Sequence, residues 1–395
     1  MTVAGISHRD QCAIVGIGAT DFSRESGRSV LSLACQAALA AITDAGLKVE
    51  DIDGLVRSDY DAVSHNDLAN ALGLTDLTYW GATGQGGGAP CGMVGQAIGA
   101  VMSGQARHIL VYRALNGRSG VRFGQRKPTG DRVGGAGGME EFFMPHGLTS
   151  PGQAWALTAQ RHMHEFGTTR DQMGHIAVTC RKRANANPAA QMHDRVLTLE
   201  DYHAARMLSS PLGFNDYCLE SDGACAVIVT SAERARDGKQ QPVLIRAVAQ
   251  AASADPQAGL YMPTLMRKTL TTQPSADVAR VLYGRAGLGP SDIDVAQIYD
   301  CFTITVLVQL EDYGFCAKGE GGPFAASGAL DMDGALPINT AGGNLSEAYI
   351  HGMNHVVEGV KQIRGQSTSQ VAGAQTCLVT SGIPVASSAM ILRAA

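Results

Sequence analysis

The chain carries an internal copy of itself. Ala45-Gly46-Leu47, followed by Asp51-Ile52-Asp53, returns as Ala286-Gly287-Leu288 followed by Asp292-Ile293-Asp294, at the same internal spacing. Each copy follows an amphipathic run, 29–44 and 274–285, that ends at a glycine and leads through an acidic turn into an apolar stretch, the pattern of helix, tight turn and strand. A second echo follows. Gly104-Gln105 before His108–Tyr112 resembles Gly365-Gln366 before Cys377–Thr380. A duplicated chain must satisfy two similar packing environments, so the repeat restricts the fold more tightly than any local propensity. It predicts two copies of a β/α unit, the first over 1–241 and the second over 242–395, with a Gly-rich, partly helical insertion at about 117–208.

The runs Cys12–Gly18 and Ala224–Thr230 are continuously apolar, as strands covered by helices on both faces are. The fold class is therefore α/β and layered. Within the insertion, Pro151–Phe166 reads as a helix and Thr198-Leu-Glu-Asp201 as a capping box. The 48 glycines among 395 residues, about 12% against a usual ~7%, imply many places where backbone turns sharply or meets a ligand. A net charge of −5 supplies no broad cationic surface, so neither nucleic acid nor an anionic membrane is the expected partner. The beginning of the chain has no cationic segment followed by a long apolar run, and no stretch reaches the ~18 apolar residues of a membrane span. The expectation is a soluble cytoplasmic enzyme with a small ligand. Nine cysteines, an odd number without a CxxC pair, argue against a disulfide framework.

Four places carry candidate chemistry. Gly84-Gln-Gly-Gly-Gly-Ala89 precedes a helix expected over 93–102. It is either a tight turn or a cradle whose amides face an anion or an enolate oxygen, and it lacks the downstream acid of a dinucleotide site. Glu347, His351 and His355 stand at i, i+4 and i+8, and on one unbroken helix they would offer a metal one face; Gly352 interrupts that helix, so no metal is expected. His162-Met-His164-Glu165 reads as a solvated helix surface. Tyr299 and Asp300 end the strand expected at 295–298, where ligands of open α/β sheets gather, and Tyr349 follows the irregular Gly342-Gly343 turn.

These residues together resemble the thiolase superfamily, in particular its sterol-carrier-protein-associated and lipid-transfer-protein branch. The resemblance rests on VGIGATDF, GRSVLSLACQAALAAITDAGLKVEDIDGLV, RHMHEFGTTRDQMGHIAV, SDGACAVIVTSAERA, DIDVAQIYDCF and GGNLSEAYIHG, and spans almost the whole chain. It implies a fold of two βαβαβαββ halves in an α-β-α-β-α arrangement with a loop domain inserted in the first, and a homodimer. The polar positions of a working thiolase are replaced. Gly87 stands where the nucleophilic cysteine would open its helix, with Cys91 one turn further on. Tyr299 replaces the asparagine of the NEAF motif, Tyr349 replaces the histidine of GGxxxxGH, and Ser381 replaces the second cysteine.

The pattern is similar to the steroid side-chain aldolases of this branch. The resemblance implies retro-aldol cleavage of a β-hydroxyacyl-CoA with a bulky group, for example a 17-hydroxy steroid with a C22 acyl-CoA, to a ketone and propionyl-CoA. Such a reaction needs a base for the β-hydroxyl, stabilisation of the thioester enolate and an acid for the α-carbon, but no covalent acyl-enzyme. Tyr299 and Tyr349 are the implied acid–base pair and the amides near Gly87 and Ile383 the enolate donors, while His146, His351, Ser381 and Asp300 are further substrate contacts. No cofactor is implied beyond the coenzyme A that the substrate carries. A small OB-fold, zinc-ribbon protein of the DUF35 family is the implied partner, in a heterotetramer. Acyl transfer through Cys91 or another cysteine and non-catalytic binding of an acyl-CoA or sterol are the competing functions.

Overall fold

The computed structural model describes residues 8–84, 86–120, 122, 144–252, 269–382 and 387–395. Its strands are β1 (Cys12–Ala19), β2 (Gly54–Ser58), β3 (Tyr79–Thr83), β4 (Ile109–Asn116), β5 (Met207–Ser209), β6 (Leu212–Gly213), β7 (Asp222–Ser231), β8 (Val243–Ala251), β9 (Val295–Gln297), β10 (Thr376–Thr380) and β11 (Ser387–Ala394). Apart from the β5–β6 hairpin they form one sheet in the order β3-β2-β4-β7-β1-β8-β11-β10-β9. From β2 to β9 the order is symmetric about the β1–β8 contact, and β3 has no counterpart among the described residues. Parallel β2–β4 matches parallel β9–β10, antiparallel β4–β7 matches β10–β11, and β7–β1 matches β11–β8.

The repeated sequence does the same work twice. Helix Val30–Ala45 ends at Gly46 (φ 73°) and helix Pro274–Ala286 at Gly287 (φ 66°), both in the left-handed region that disfavours any residue with a Cβ. Asp51 then accepts from the Lys48 amide at 2.8 Å and Asp292 from the Gly289 amide at 2.7 Å, each closing a 3₁₀ turn. Asp53 accepts from the Arg107 and His108 amides, and Asp294 from those of Gln375 and Thr376, which sets the neighbouring strand's register in each half.

Three apolar layers result. Ala34, Ala37 and Ala41 pack on Ala13 and Ile228 on one outer face. Val278 and Leu282 pack on Ala249 and Ile391 on the other. Helices Pro90–Met102 and Met353–Arg364 fill the middle, with Val94 and Val356 between Val227 and Met390. The layering is α-β-α-β-α.

Helices Pro151–Phe166 and Arg170–Asn185 lie outside this stack, against helix Thr303–Asp312. His162 fastens them. It is fully buried, not on a solvated surface as expected, because Nδ1 pairs with Thr168 Oγ1 at 2.7 Å and Nε2 with Glu311 at 3.1 Å. Part of the expected insertion, including 123–143, lies outside the described residues. Among the described residues no helix is long and apolar enough to cross a membrane.

Candidate active site

Two phenols from different segments meet in the interior. The Tyr299 and Tyr349 hydroxyls lie 2.8 Å apart, and their rings meet at 63° with centroids 6.4 Å apart. Tyr299 leaves the end of β9 with its backbone held on both sides. Its amide donates to Thr380 Oγ1 at 2.9 Å, and its carbonyl accepts from Gln309 Nε2 at 2.7 Å. Tyr349 stands in the turn between helices Gly343–Ser346 and Met353–Arg364, where its amide donates to Ser221 Oγ at 2.8 Å. Asp300 shapes that turn. It accepts from the Asn344 and Leu345 amides at 2.7 and 3.1 Å and pairs with His355 Nε2 at 3.0 Å.

Gly87 makes the meeting possible. A Cβ at this position would lie 2.0 Å from the Tyr299 hydroxyl oxygen, so the phenol fills the space that a side chain would take. The close approach, rather than a strained backbone angle, requires the glycine.

Tyr299 and Tyr349 both line a cavity of about 490 Å³. Its wall is largely apolar and aromatic, with Trp155, Met192, Phe214, Phe302 and Leu345, and includes Gly87 and His351. Arg24, Arg118 and Arg122 are also in the lining, where Glu220 pairs with Arg122 Nε at 2.6 Å and lies 4.0 Å from Arg118 Nε. Burial pushes both phenols well above their ordinary 10. The hydrogen bond with Tyr299 and the charge of Arg113 draw Tyr349 part of the way back, whereas the bond with Tyr349 pushes Tyr299 further up, and either hydroxyl can be the donor. Neither phenol is ionised at neutral pH. The pair can still accept a proton on one oxygen while giving one up from the other.

Burial disfavours the thiolate at the cysteines in and near the site. Cys91 is buried away from the cavity, its thiol directed at the Val379 carbonyl at 3.4 Å and pushed by burial up to about 12. Cys218 and Cys301 are on the cavity wall, yet burial pushes both thiols up, that of Cys301 to about 12. A thiol held neutral is a poor nucleophile.

The other expected residues are distributed unevenly. His351 lines the cavity beside Tyr349, with ring centroids 4.9 Å apart. Asp300 does not line it and acts through the backbone of the Tyr349 turn. Ser381 is also behind the wall, accepting from the Cys91 amide at 3.1 Å, while Ser388 takes the Gly92 amide at 3.0 Å. The first amides of helix Pro90–Met102 are therefore satisfied by serines and do not face a ligand; Gly86–Gly88 form the wall instead. His146 is exposed and outside the cavity lining. Ile383 lies outside the described residues.

Glu347, His351 and His355 are not on one helix. A turn containing Gly352 (φ 84°) separates them, and they face Asn354, Arg113 and Asp300 respectively. Among the described residues no group of three or more His, Cys, Asp or Glu side chains could hold a metal ion. Sequence reasoning missed Arg113. Its one signal was a lone cation inside the apolar strand ILVYRALN.

Residues 261–394 match the family model described as thiolase C-terminal domain-like. The chain is similar to the 17-hydroxy-3-oxo-4-pregnene-20-carboxyl-CoA lyase of Mycobacterium tuberculosis, 46% identical over 97% of this chain and 99% of that one. It is equally similar to a steroid side-chain-cleaving aldolase of Thermomonospora curvata, 46% identical over 97% of each. A solved structure, the Ltp2-ChsH2(DUF35) aldolase, superposes with a TM-score of 0.93 at 44% identity, covering 98% of this chain and 99% of that one.

Two outcomes follow from this geometry. Gly87→Ala forces the Tyr299 ring aside and is expected to lower turnover by about 100-fold, as displacements near 1 Å do, at a stability loss of about 1–3 kcal/mol. Parallel kinetics and denaturant titration check both numbers. Burial, reinforced by Glu358, raises the Glu347 carboxyl from its ordinary 4.5 to about 8. The folded protein thus keeps a proton that the unfolded chain releases, and this contribution to stability is full below about pH 4.5 and lost as pH rises to 8. Glu347→Gln lacks that dependence. Its melting temperature relative to the unsubstituted protein is expected to rise between pH 5 and pH 8, and two parallel curves would refute the assignment.

Proposed function

The chain belongs to the thiolase-like family that includes the steroid side-chain-cleaving aldolases, and we propose that it is a carbon–carbon lyase cleaving a β-hydroxyacyl-CoA with a bulky, steroid-like group to a ketone and a short acyl-CoA such as propionyl-CoA. The observation that carries this reading is the 2.8 Å phenol pair in a cavity without an ionised thiol. The relatives named for steroid CoA cleavage, 46% identical over nearly the full chain, support the substrate class.

The reaction runs as a proton relay. Tyr349 takes the proton of the β-hydroxyl and passes its own across the hydrogen bond to Tyr299. The Cα–Cβ bond breaks, its electron pair moves onto the thioester as an enolate, and the β-carbon becomes the ketone. As it receives that proton Tyr299 gives its own to the α-carbon, onto which the developing enolate collapses, so neither oxygen ever carries two protons. Each phenol ends with the proton count it started with, so the raised pKa values of both are no obstacle. Assigning Tyr349 as the acceptor follows from the charge of Arg113, which favours negative charge developing on Tyr349. Backbone donors around Gly87 are the candidates for the enolate oxygen, where one donor contributes about 3 kcal/mol.

The apolar wall suits a fused-ring substituent, and Arg24, with the Arg118 and Arg122 guanidiniums that share Glu220, supplies cations for the phosphates of coenzyme A. No bound cofactor is needed. The chain assembles as a homodimer with a small DUF35-family protein in a heterotetramer; the solved Ltp2-ChsH2(DUF35) aldolase supports the choice of partner. Leu208 and Phe214 are exposed and also line the cavity, so a partner seated there would extend its wall.

Tyr349→Phe and Tyr299→Phe are each expected to reduce turnover by 100-fold or more, the usual scale for losing a general acid or base, with the fold intact. Mass analysis of products from a 17-hydroxysteroid acyl-CoA, using protein co-expressed with its DUF35 partner, reads the result. Undiminished cleavage by both variants, or an acyl group trapped on a cysteine, would contradict it.

A further inference from the structure

Behind the cavity wall lies a charged group that the phenol relay does not use. Arg113 projects from β4 and is almost wholly buried. Its Nη1 is bonded to Asp61 Oδ1, and Asp61 is itself fixed by the Ser58 and Ala114 amides at 3.0 and 3.1 Å. The other side of the guanidinium meets one atom. Arg113 Nε and Nη2 lie 3.2 and 2.7 Å from His351 Nδ1. A guanidinium has only donors, so Nδ1 must carry the lone pair, and the proton of the neutral ring sits on Nε2.

His351 is also conformationally unusual. Its φ of 51° lies in the left-handed region, which costs a non-glycine residue energy and tends to persist where surrounding structure over-determines it. The ring it holds lines the cavity, edge-on to Tyr349.

We infer that His351 is a substrate-binding residue whose Nε2–H donates to the thioester oxygen, with Asp61 and Arg113 as positioning residues that fix its tautomer and aim. The inference rests on the retro-aldol reading for the identity of that oxygen. A neutral imidazole can stabilise a developing enolate by hydrogen bonding without surrendering a proton to it, which leaves protonation of carbon to Tyr299. The β-hydroxyl needs an acceptor for its proton, so a donor on the cavity wall is matched to the thioester oxygen instead.

The test uses the full chain with its partner and ¹⁵N-labelled histidine. Long-range ¹H–¹⁵N correlations report which ring nitrogen bears the proton, and the signal missing in His351→Asn identifies the residue. The unsubstituted protein is expected to show the Nε2–H form alone, and Arg113→Gln a mixture. Turnover by Arg113→Gln and by His351→Phe is expected to fall about 100-fold each, with KM changing by less than about threefold. Their double variant should be no slower than His351→Phe, because Arg113 acts through the ring. Arg113→Lys, which keeps a donor, should recover at least about tenfold over Arg113→Gln. A proton on Nδ1 in the unsubstituted protein, losses that multiply in the double variant, or a folded Arg113→Gln with full turnover would each overturn the inference. The tautomer is read without substrate. Failure to cleave any β-hydroxyacyl-CoA would therefore strike the retro-aldol reading and the oxygen assigned to His351, while an Nδ1–H ring in an active enzyme would strike this inference alone.

Discussion

The contact between the Tyr299 and Tyr349 hydroxyls sets the terms for everything around it. A phenol taken out of water resists ionisation, and these two are buried far enough that neither gives up its proton unaided. Catalysis by such groups has to be concerted: one oxygen receives a proton as the other releases one, and the 2.8 Å separation allows that exchange. The surrounding structure can be understood as holding this distance. Gly87 leaves the volume that the Tyr299 ring occupies, Thr380 and Gln309 grip the Tyr299 backbone, and Asp300 with Ser221 fixes the Tyr349 turn.

The duplicated architecture explains why the two rings can converge at all. Tyr299 comes from the end of β9 and Tyr349 from the turn before the central helix Met353–Arg364, while Gly87 belongs to the turn before the other central helix. Both central helices lie in the layer between the two halves of the sheet. Their preceding turns reach a common point beneath the helices of the inserted region. The framework of a nucleophile-bearing helix survives without its nucleophile. Ser381 and Ser388, both from the second half, satisfy the Cys91 and Gly92 amides, and the Cys91 thiol is turned into the core.

Much of this was legible in the chain. The AGL…DID repeat reappears as matching local structure, since its aspartates close the same turns and pin the same neighbouring strands in each copy. The strand end and the Gly342-Gly343 turn marked the two tyrosines singly, and only the resemblance to the aldolases joined them as a pair; the structure brings their hydroxyls together. Other features were not. Arg113 and His351 are separated by 238 positions and Arg113 and Asp61 by 52, and no periodicity links residues brought together by sheet order. Spacing suggested that Glu347, His351 and His355 could share a face, but the turn at Gly352 sends each to a different partner. Asp300 and Ser381 were correctly close to the site in sequence yet serve its backbone, since a side chain at a strand end can point to either face. His146 turned outward, beyond the cavity.

A structure of the protein with its partner and a non-cleavable β-hydroxyacyl-CoA analogue tests the central claim most directly. The account predicts the β-oxygen within hydrogen-bond reach of the Tyr349 hydroxyl and the α-carbon facing the Tyr299 hydroxyl, with the two phenols still bonded to each other. An analogue whose β-oxygen lay against a cysteine or histidine, with both phenols out of reach of the scissile bond, would contradict it.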